Sequence, residues 1–132
     1  MSRNKDASDF EYEVANILGK NGFWAHVCAK SKDGSQPCDI IALNRKGNHL
    51  IDAKLCASGR FQLNRVEDNQ LHSIKWFKQR CNGMGWFALK LNGEIYMIDS
   101  DMIELMMENG AKSFSKVSDS FRLEKWLDAY KS

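Results

Sequence analysis

At 132 residues the chain has room for one domain with a single core, spanning residues 1–132, and not for two. With 43% apolar residues, 27% charged residues and one proline, it reads as a folded globule, which excludes a disordered chain. No window approaches the roughly 18 apolar residues that a membrane span requires, and the net charge of +2 permits a nucleic-acid partner without arguing for one. The polar N-terminus, Met-Ser-Arg-Asn-Lys-Asp, leads into no signal-like apolar segment, so a cytoplasmic protein is the simplest expectation.

In chain order, Phe10, Val14, Ile17 and Leu18 form the apolar stripe of a helix over residues 8–21. Ser8 and Glu11 have capping-box spacing at its start, and Gly22 is a natural stop. Residues 23–28 read as a strand, followed by a polar loop carrying Lys30, Ser31, Lys32 and Ser35. Residues 38–55 read as a hairpin turning at Asn44-Arg45-Lys46-Gly47. A second polar loop, residues 57–66, holds Arg60 and Arg65. A helix over residues 67–81 would bury Leu71, Ile74, Phe77 and Cys81. Two strands, residues 86–91 and 94–98, meet at Asn92-Gly93, a strong two-residue hairpin turn. Ser100 or Asp101 can cap a short helix through Met107, and a last helix covers residues 119–130. The order αβββαββαα predicts an α/β fold, a central mixed sheet covered on both faces by helices.

The hairpin contains a conflict. If it is centred between Arg45 and Lys46, residues whose numbers sum to 91 oppose each other, so Asp39 faces Asp52. Their Cβ atoms then lie about 4.5–5.5 Å apart on one face, which Lys54 shares. Ile40, Ala42, Ile51, Ala53 and Leu55 make the other face wholly apolar. Two carboxylates that close repel unless one takes a proton or a cation lies between them. Oxygen donors suit Mg²⁺ or Mn²⁺, not zinc. The competing explanation is an Asp52–Lys54 surface pair on an edge strand, and the hairpin alone does not decide between them. Glu11 could add a third carboxylate, although a capping role accounts for it unaided.

Cys28, Cys38, Cys56 and Cys81 have no C-x-x-C spacing and read as reduced, packed thiols. His26, His49 and His72 read as structural. Trp76, Trp86 and Trp126 read as core or dimer surface.

Pro37-Cys38-Asp39 followed by Asp52-Ala53-Lys54, with a glutamate on the preceding helix, resembles the PD-(D/E)XK nuclease signature. "FEYEVANILGKNGF" (residues 10–23) resembles the first helix of archaeal Holliday junction resolvases, with the catalytic glutamate at Glu11. "FQLNRVEDNQLHSIKWFKQ" (residues 61–79) and "GEIYMIDSDMI" (residues 93–103) resemble RecU-type bacterial resolvases. The stalk insertion of RecU proteins has no counterpart between Ala29 and Cys38, which leaves a compact resolvase nearer the archaeal or phage type.

The resemblance implies a restriction-endonuclease-like fold and phosphodiester hydrolysis. Asp39, Asp52 and the Ala53 carbonyl would hold Mg²⁺ (or Mn²⁺), with Glu11 positioning metal or water. Lys54 would orient the nucleophile or steady anionic charge. Gln70, read as lying away from the Ile74 and Phe77 stripe, is a candidate for a backbone or metal-water contact. Lys30, Lys32, Ser35, Arg60 and Arg65 are the candidates for DNA binding. The expected partner is branched DNA, a four-way junction, whose two symmetric strands suit a homodimer acting at the nucleoid or in a phage-infected host. Met102, Met106, Met107, Trp126 and Tyr130 are candidates for the dimer interface. Alternatives on the same residues are a general or restriction-like repair nuclease and a catalytically inactive DNA-binding module.

Overall fold

The first helix of the computed structural model, which describes residues 3–33 and 36–132, starts earlier than its apolar stripe predicts. Helix α1 (Arg3–Lys20) opens with polar turns that carry no apolar signal, yet Asp6 near its N-terminus and the Lys5–Asp9 pair at 3.0 Å both suit a helix. Ser8 and Glu11 consequently lie inside α1, and the expected capping box does not form. Phe10, Val14 and Leu18 are buried as the periodicity requires. Gly22, at φ +88°, turns the chain out of the helix, and the Phe23 N–H closes the end on the Leu18 carbonyl.

Strands β1 (Trp24–Val27), β2 (Ile40–Asn44) and β3 (Gly47–Cys56) form an antiparallel meander. Asn44 sets the β2–β3 turn: its Oδ1 accepts the N–H groups of Lys46 at 2.9 Å and Gly47 at 3.1 Å. The ladder pairs Ile40 with Ile51 and Ile41 with Leu50, the expected register. A two-residue strand β4 (Phe61–Gln62) and one 3₁₀ turn precede helix α2 (Asp68–Cys81). Strands β5 (Met84–Leu91) and β6 (Glu94–Asp99) join at Asn92-Gly93, where both residues have positive φ, 51° and 82°. Helix α3 (Ser100–Glu108) is capped by Asp99, whose carboxylate accepts the Asp101 N–H at 2.7 Å, in place of Ser100 or Asp101. Strand β7 (Ser113–Phe114) pairs with β4 as a ribbon that the sequence did not announce. The final helical stretch is broken: a 3₁₀ turn at Asp119–Phe121, then extended Arg122, then α4 (Leu123–Tyr130).

The sheet order is β1-β2-β3-β5-β6, with β3 and β5 parallel and the other pairs antiparallel. Side chains alternate along β3 and so feed two cores. Ile51 joins Ile40, Ala42, Trp86, Phe10, Val14 and Leu18 beneath α1 and α4. Leu50 and Cys56 join Phe87, Leu89, Ile74 and Ile103 beneath α2 and α3. Glycine lets α2 approach β5: a Cβ on Gly85 would lie 2.2 Å from Ile74 Cγ2.

Trp126 is buried in the α1-side core, and Tyr130 packs against it, so Trp126 belongs to the protein's own interior and not to an interface. Met106 and Met107 are partly buried, while Met102 stays exposed. Trp86 is core, but Trp76 is exposed beneath the Arg80 guanidinium. The cysteines are free thiols; Cys38 and Cys56 are buried, whereas Cys81 sits on the exposed side of α2, contrary to its assignment to that helix's packed side. Among the described residues no helix is long and apolar enough to cross a membrane.

Candidate active site

The site grows from the open end of the β2–β3 ladder. Asp39 directly precedes β2, and its backbone is pinned on both sides: its N–H donates to Ile51 O at 3.1 Å and its carbonyl accepts from the Cys28 N–H at 2.8 Å. The β2–β3 ladder ends at Ile40–Ile51: the Asp39 N–H and carbonyl face different strands, so the chain bends there and the expected Asp39–Asp52 pair is not a rung of the ladder, although Asp39 stays close enough to act on the Asp52 charge. The Asp39 side chain turns to β3, where Oδ2 accepts the Ala53 N–H at 2.8 Å. In an antiparallel ladder a residue's N–H and C=O face the same neighbour, so the Ala53 carbonyl looks toward the same gap.

Asp52 is 1% exposed and lies on a central strand, which removes the reading of an Asp52–Lys54 pair on an exposed edge. Lys54 Nζ stands 3.4 Å from Asp52 Oδ1, yet neither carboxylate oxygen has a hydrogen-bond partner. Burial, then the nearby Asp39, holds the Asp52 carboxyl well above the usual carboxylate range, and Lys54 only partly opposes them. An orphaned buried carboxylate beside a second one is the arrangement a hard cation relieves.

Glu11 reaches the cluster from α1. It is 4% exposed, and burial raises its pKa against the opposing influence of Lys30. Its reading as a cap fails because it sits two turns inside the helix. Lys30, expected at the DNA, instead turns inward: Nζ lies 2.9 Å from Glu11 Oε2 and bonds Asp39 Oδ1. Burial pulls the Lys30 pKa down, but its bonds to Asp39 and Glu11 more than offset that, and the net shift is upward. Among the described residues no three His, Cys, Asp or Glu side chains form a ready-made metal cage. The donor set that fits a hard cation is therefore Asp39, Asp52 and the Ala53 carbonyl, with Glu11 behind Lys30.

The remaining candidates lie farther out. Gln70 is half-buried one turn before Ile74, so it shares the inward side of α2 and not the outer one. Its Oε1 accepts the Glu67 N–H at 3.1 Å, which fixes the start of the helix. Lys32 is exposed, and Ser35 lies outside the described residues. Ser31 Oγ bonds Gln36 Oε1 at 2.9 Å within the same loop. Arg60 bonds Ser113 Oγ at 2.8 Å, and Arg65 donates to Leu55 O at 2.9 Å. Together with Leu55, Cys56, Ala57 and Ser58, they line a cavity of about 490 Å³. It opens past the C-terminal end of β3, against Asp6 and Ala7 of α1. None of the five carboxylate-cluster residues lines it.

Nothing in the local sequence places Lys30 between Glu11 and Asp39. Its loop carries no periodicity, and its return to the site depends on the β1–β2 pairing around it.

The carboxylate pair, the lysine beside it and the helix-borne glutamate make a set suited to attack on a phosphodiester. A solved structure of Hjc from Archaeoglobus fulgidus, described as a Holliday junction resolvase from an archaeal hyperthermophile, superposes with a TM-score of 0.66 at 22% identity. The alignment covers 93% of this chain and 96% of that one, which establishes the restriction-endonuclease-like fold. No curated protein sequence matches the chain. The model of the family described as archaeal Holliday junction resolvase (hjc) matches residues 2–132. With that match across nearly its whole length, the chain belongs to the archaeal Holliday junction resolvase family and is a junction-resolving nuclease.

Proposed function

We propose that the protein resolves four-way DNA junctions as a homodimer, by phosphodiester hydrolysis that depends on Mg²⁺ (or Mn²⁺), in the cytoplasm at the nucleoid. The observation that carries the metal dependence is Asp52, a buried carboxylate whose oxygens have no hydrogen-bond partner and which lies within reach of the Asp39 charge. Asp39, Asp52 and the Ala53 carbonyl would hold the cation, with Glu11 as a further carboxylate. When bound, it supplies Lewis acidity at the scissile phosphate and lowers the pKa of water.

The protein's own groups do the rest. Lys54 projects from a strand fixed between β2 and β5, so its ammonium is held in place to steady charge developing on the phosphoryl oxygens. Glu11 orients water or metal from the rigid α1. Gln70 acts through the α2 N-terminus that it holds. Lys32, Arg60 and Arg65 grip the DNA backbone through charge, which positions a duplex without reading its sequence. Two copies related by a two-fold axis match the two strands a junction presents.

The deciding experiment is a cleavage panel of four-way junction, flap, fork and linear duplex in Mg²⁺, with light scattering on the same preparation. Junctions of unrelated sequence should be cut with paired incisions by a dimer, and linear duplex much more slowly. Equal cutting of linear duplex would make the protein a general nuclease.

A further inference from the structure

Lys30 is the one lysine of the cluster that does not come from the sheet, and it makes the most intimate contacts there. Its Nζ bridges Glu11 Oε2, at 2.9 Å, and Asp39 Oδ1. The second Asp39 oxygen is taken by the Ala53 N–H, so both oxygens of that carboxylate are engaged. Both acids are almost fully buried, and an ammonium between them answers a charge conflict that would otherwise stay open. We propose that the Lys30 ammonium is a surrogate cation: it holds the Asp39 oxygen that the Asp39, Asp52 and Ala53 donor set needs, and a divalent ion takes that oxygen only as Lys30 leaves.

The inference rests on reading the site as a divalent-cation centre and adds an occupant to it. Mg²⁺ binds carboxylate oxygen at about 2.0–2.1 Å, inside the space an ammonium hydrogen-bonded to the same oxygen already fills. Two cations on one carboxylate repel, so each weakens the other's hold on Asp39. The two lysines also differ in their freedom to move. The Lys54 side chain is 13% exposed on a central strand, whereas the Lys30 side chain is 47% exposed on irregular backbone and can swing to solvent. Lys30 is therefore the one that yields. Once released, its charge lies beside the same carboxylates and faces incoming DNA, so one residue serves both as internal counter-ion and as phosphate contact.

The test is calorimetric titration of Mn²⁺ into the protein without DNA, at one fixed pH, for wild type, Lys30→Met, Lys30→Arg, Lys32→Met and Asp52→Asn. Lys30→Met should bind Mn²⁺ more tightly, on the order of 10-fold, while Lys30→Arg, which keeps the charge in the gap, should stay near wild type. Lys32→Met removes an equal charge from the same loop and should change affinity by less than about 2-fold, since exposed charges are screened. Metal-free Lys30→Met should melt below wild type, and Mn²⁺ should raise its melting temperature by a larger increment. If Asp52→Asn abolishes Mn²⁺ binding but Lys30→Met binds no more tightly than wild type, or if Lys32→Met tightens binding as much, the surrogate-cation inference is wrong and the metal centre stands. If neither wild type nor Lys30→Met takes Mn²⁺, the metal-centre reading fails and the inference falls with it.

Discussion

Asp39 and Asp52 lie close together just past the end of the β2–β3 ladder, and their surroundings are unequal: Asp39 is hydrogen-bonded on both oxygens, Asp52 on neither. The unpartnered acid burdens the fold and serves the reaction. Asp52→Asn replaces, at nearly constant volume, a carboxyl whose charged form burial disfavours more than Lys54 compensates, so the metal-free protein should become more stable by roughly 1–3 kcal/mol, read by urea unfolding at pH 7. The same substitution, like Asp39→Asn, should lower junction cleavage by about 10²–10³-fold or more while leaving junction binding largely intact. Lys54→Ala should lose activity on a similar scale. An Asp52→Asn protein that cuts at the wild-type rate would remove this residue from the site.

Glu11 separates a cap from a catalytic carboxylate. A residue that only capped a helix would leave turnover unchanged when replaced by glutamine, since the amide oxygen still accepts a hydrogen bond. Glu11 is buried inside α1 against Lys30, so Glu11→Gln should keep the helical circular dichroism of wild type. It should also slow cleavage by roughly 10²-fold, as loss of one positioned acid–base or ligand group does. Unchanged single-turnover rates would return Glu11 to a structural role.

His49 gives a pH dependence of stability independent of the nuclease chemistry. It is fully buried among Phe23, Trp126 and Tyr130, and its Nδ1 accepts the Trp86 indole N–H at 2.9 Å. Burial lowers its pKa from 6.5 to about 4. Between those values the unfolded chain binds a proton that the folded protein refuses, so stability falls as pH drops through this window. The loss should reach roughly 2 kcal/mol by pH 5 and be absent above pH 7. The raised pKa values of Glu11 and Asp52 act in the opposite sense, favouring the fold as pH falls. The clean measurement is therefore the difference in unfolding free energy between wild type and His49→Gln at pH 7.5 and at pH 5. A gap between the two proteins that does not change with pH would contradict a neutral His49.

Arg60 and Arg65 should contribute to affinity and not to chemistry. Both are exposed and line the cavity past β3, held by Ser113 and the Leu55 carbonyl. Replacing both with alanine should weaken junction binding without regard to sequence and reduce the salt slope of binding by about 2, one for each lost phosphate contact. Mn²⁺ affinity should not change. A double variant with the wild-type salt slope would place the DNA elsewhere.

The β2–β3 register is legible because two signals agree on it: Asn44-Arg45-Lys46-Gly47 supplies the turn, and the apolar residues of β2 and β3 alternate on the face that turn requires; the bend that takes Asp39 out of the ladder leaves no such signal. Glu11 is legible in the family pattern, while its spacing from Ser8 also offers a cap that the structure does not use, because the helix begins at Arg3. Polar first turns leave no apolar trace to correct that. Lys30 was found as a charged loop residue, but its inward turn is set by contacts with Glu11 on another element. The β4–β7 ribbon escaped because two-residue strands, here Phe61–Gln62 and Ser113–Phe114, are too short to show a period. Cys81 completes the apolar spacing of α2 but is the last residue of that helix and is exposed.

The two-residue turn between β2 and β3 also bears on how this protein can diverge. One strand carries Asp52 and Lys54 on one face and Ile51, Ala53 and Leu55 on the other. Adding or deleting a single residue at Arg45-Lys46 would exchange those faces, sending charges into the core beneath α1 and aliphatic side chains into the catalytic gap. Neither change can be repaired alone, because one displacement makes both. Length variation among descendants of this gene should therefore gather in the loop after β1 and in the segment between β3 and α2. The turn itself should drift only by substitution, and its length should be inherited as strictly as the acids it aligns.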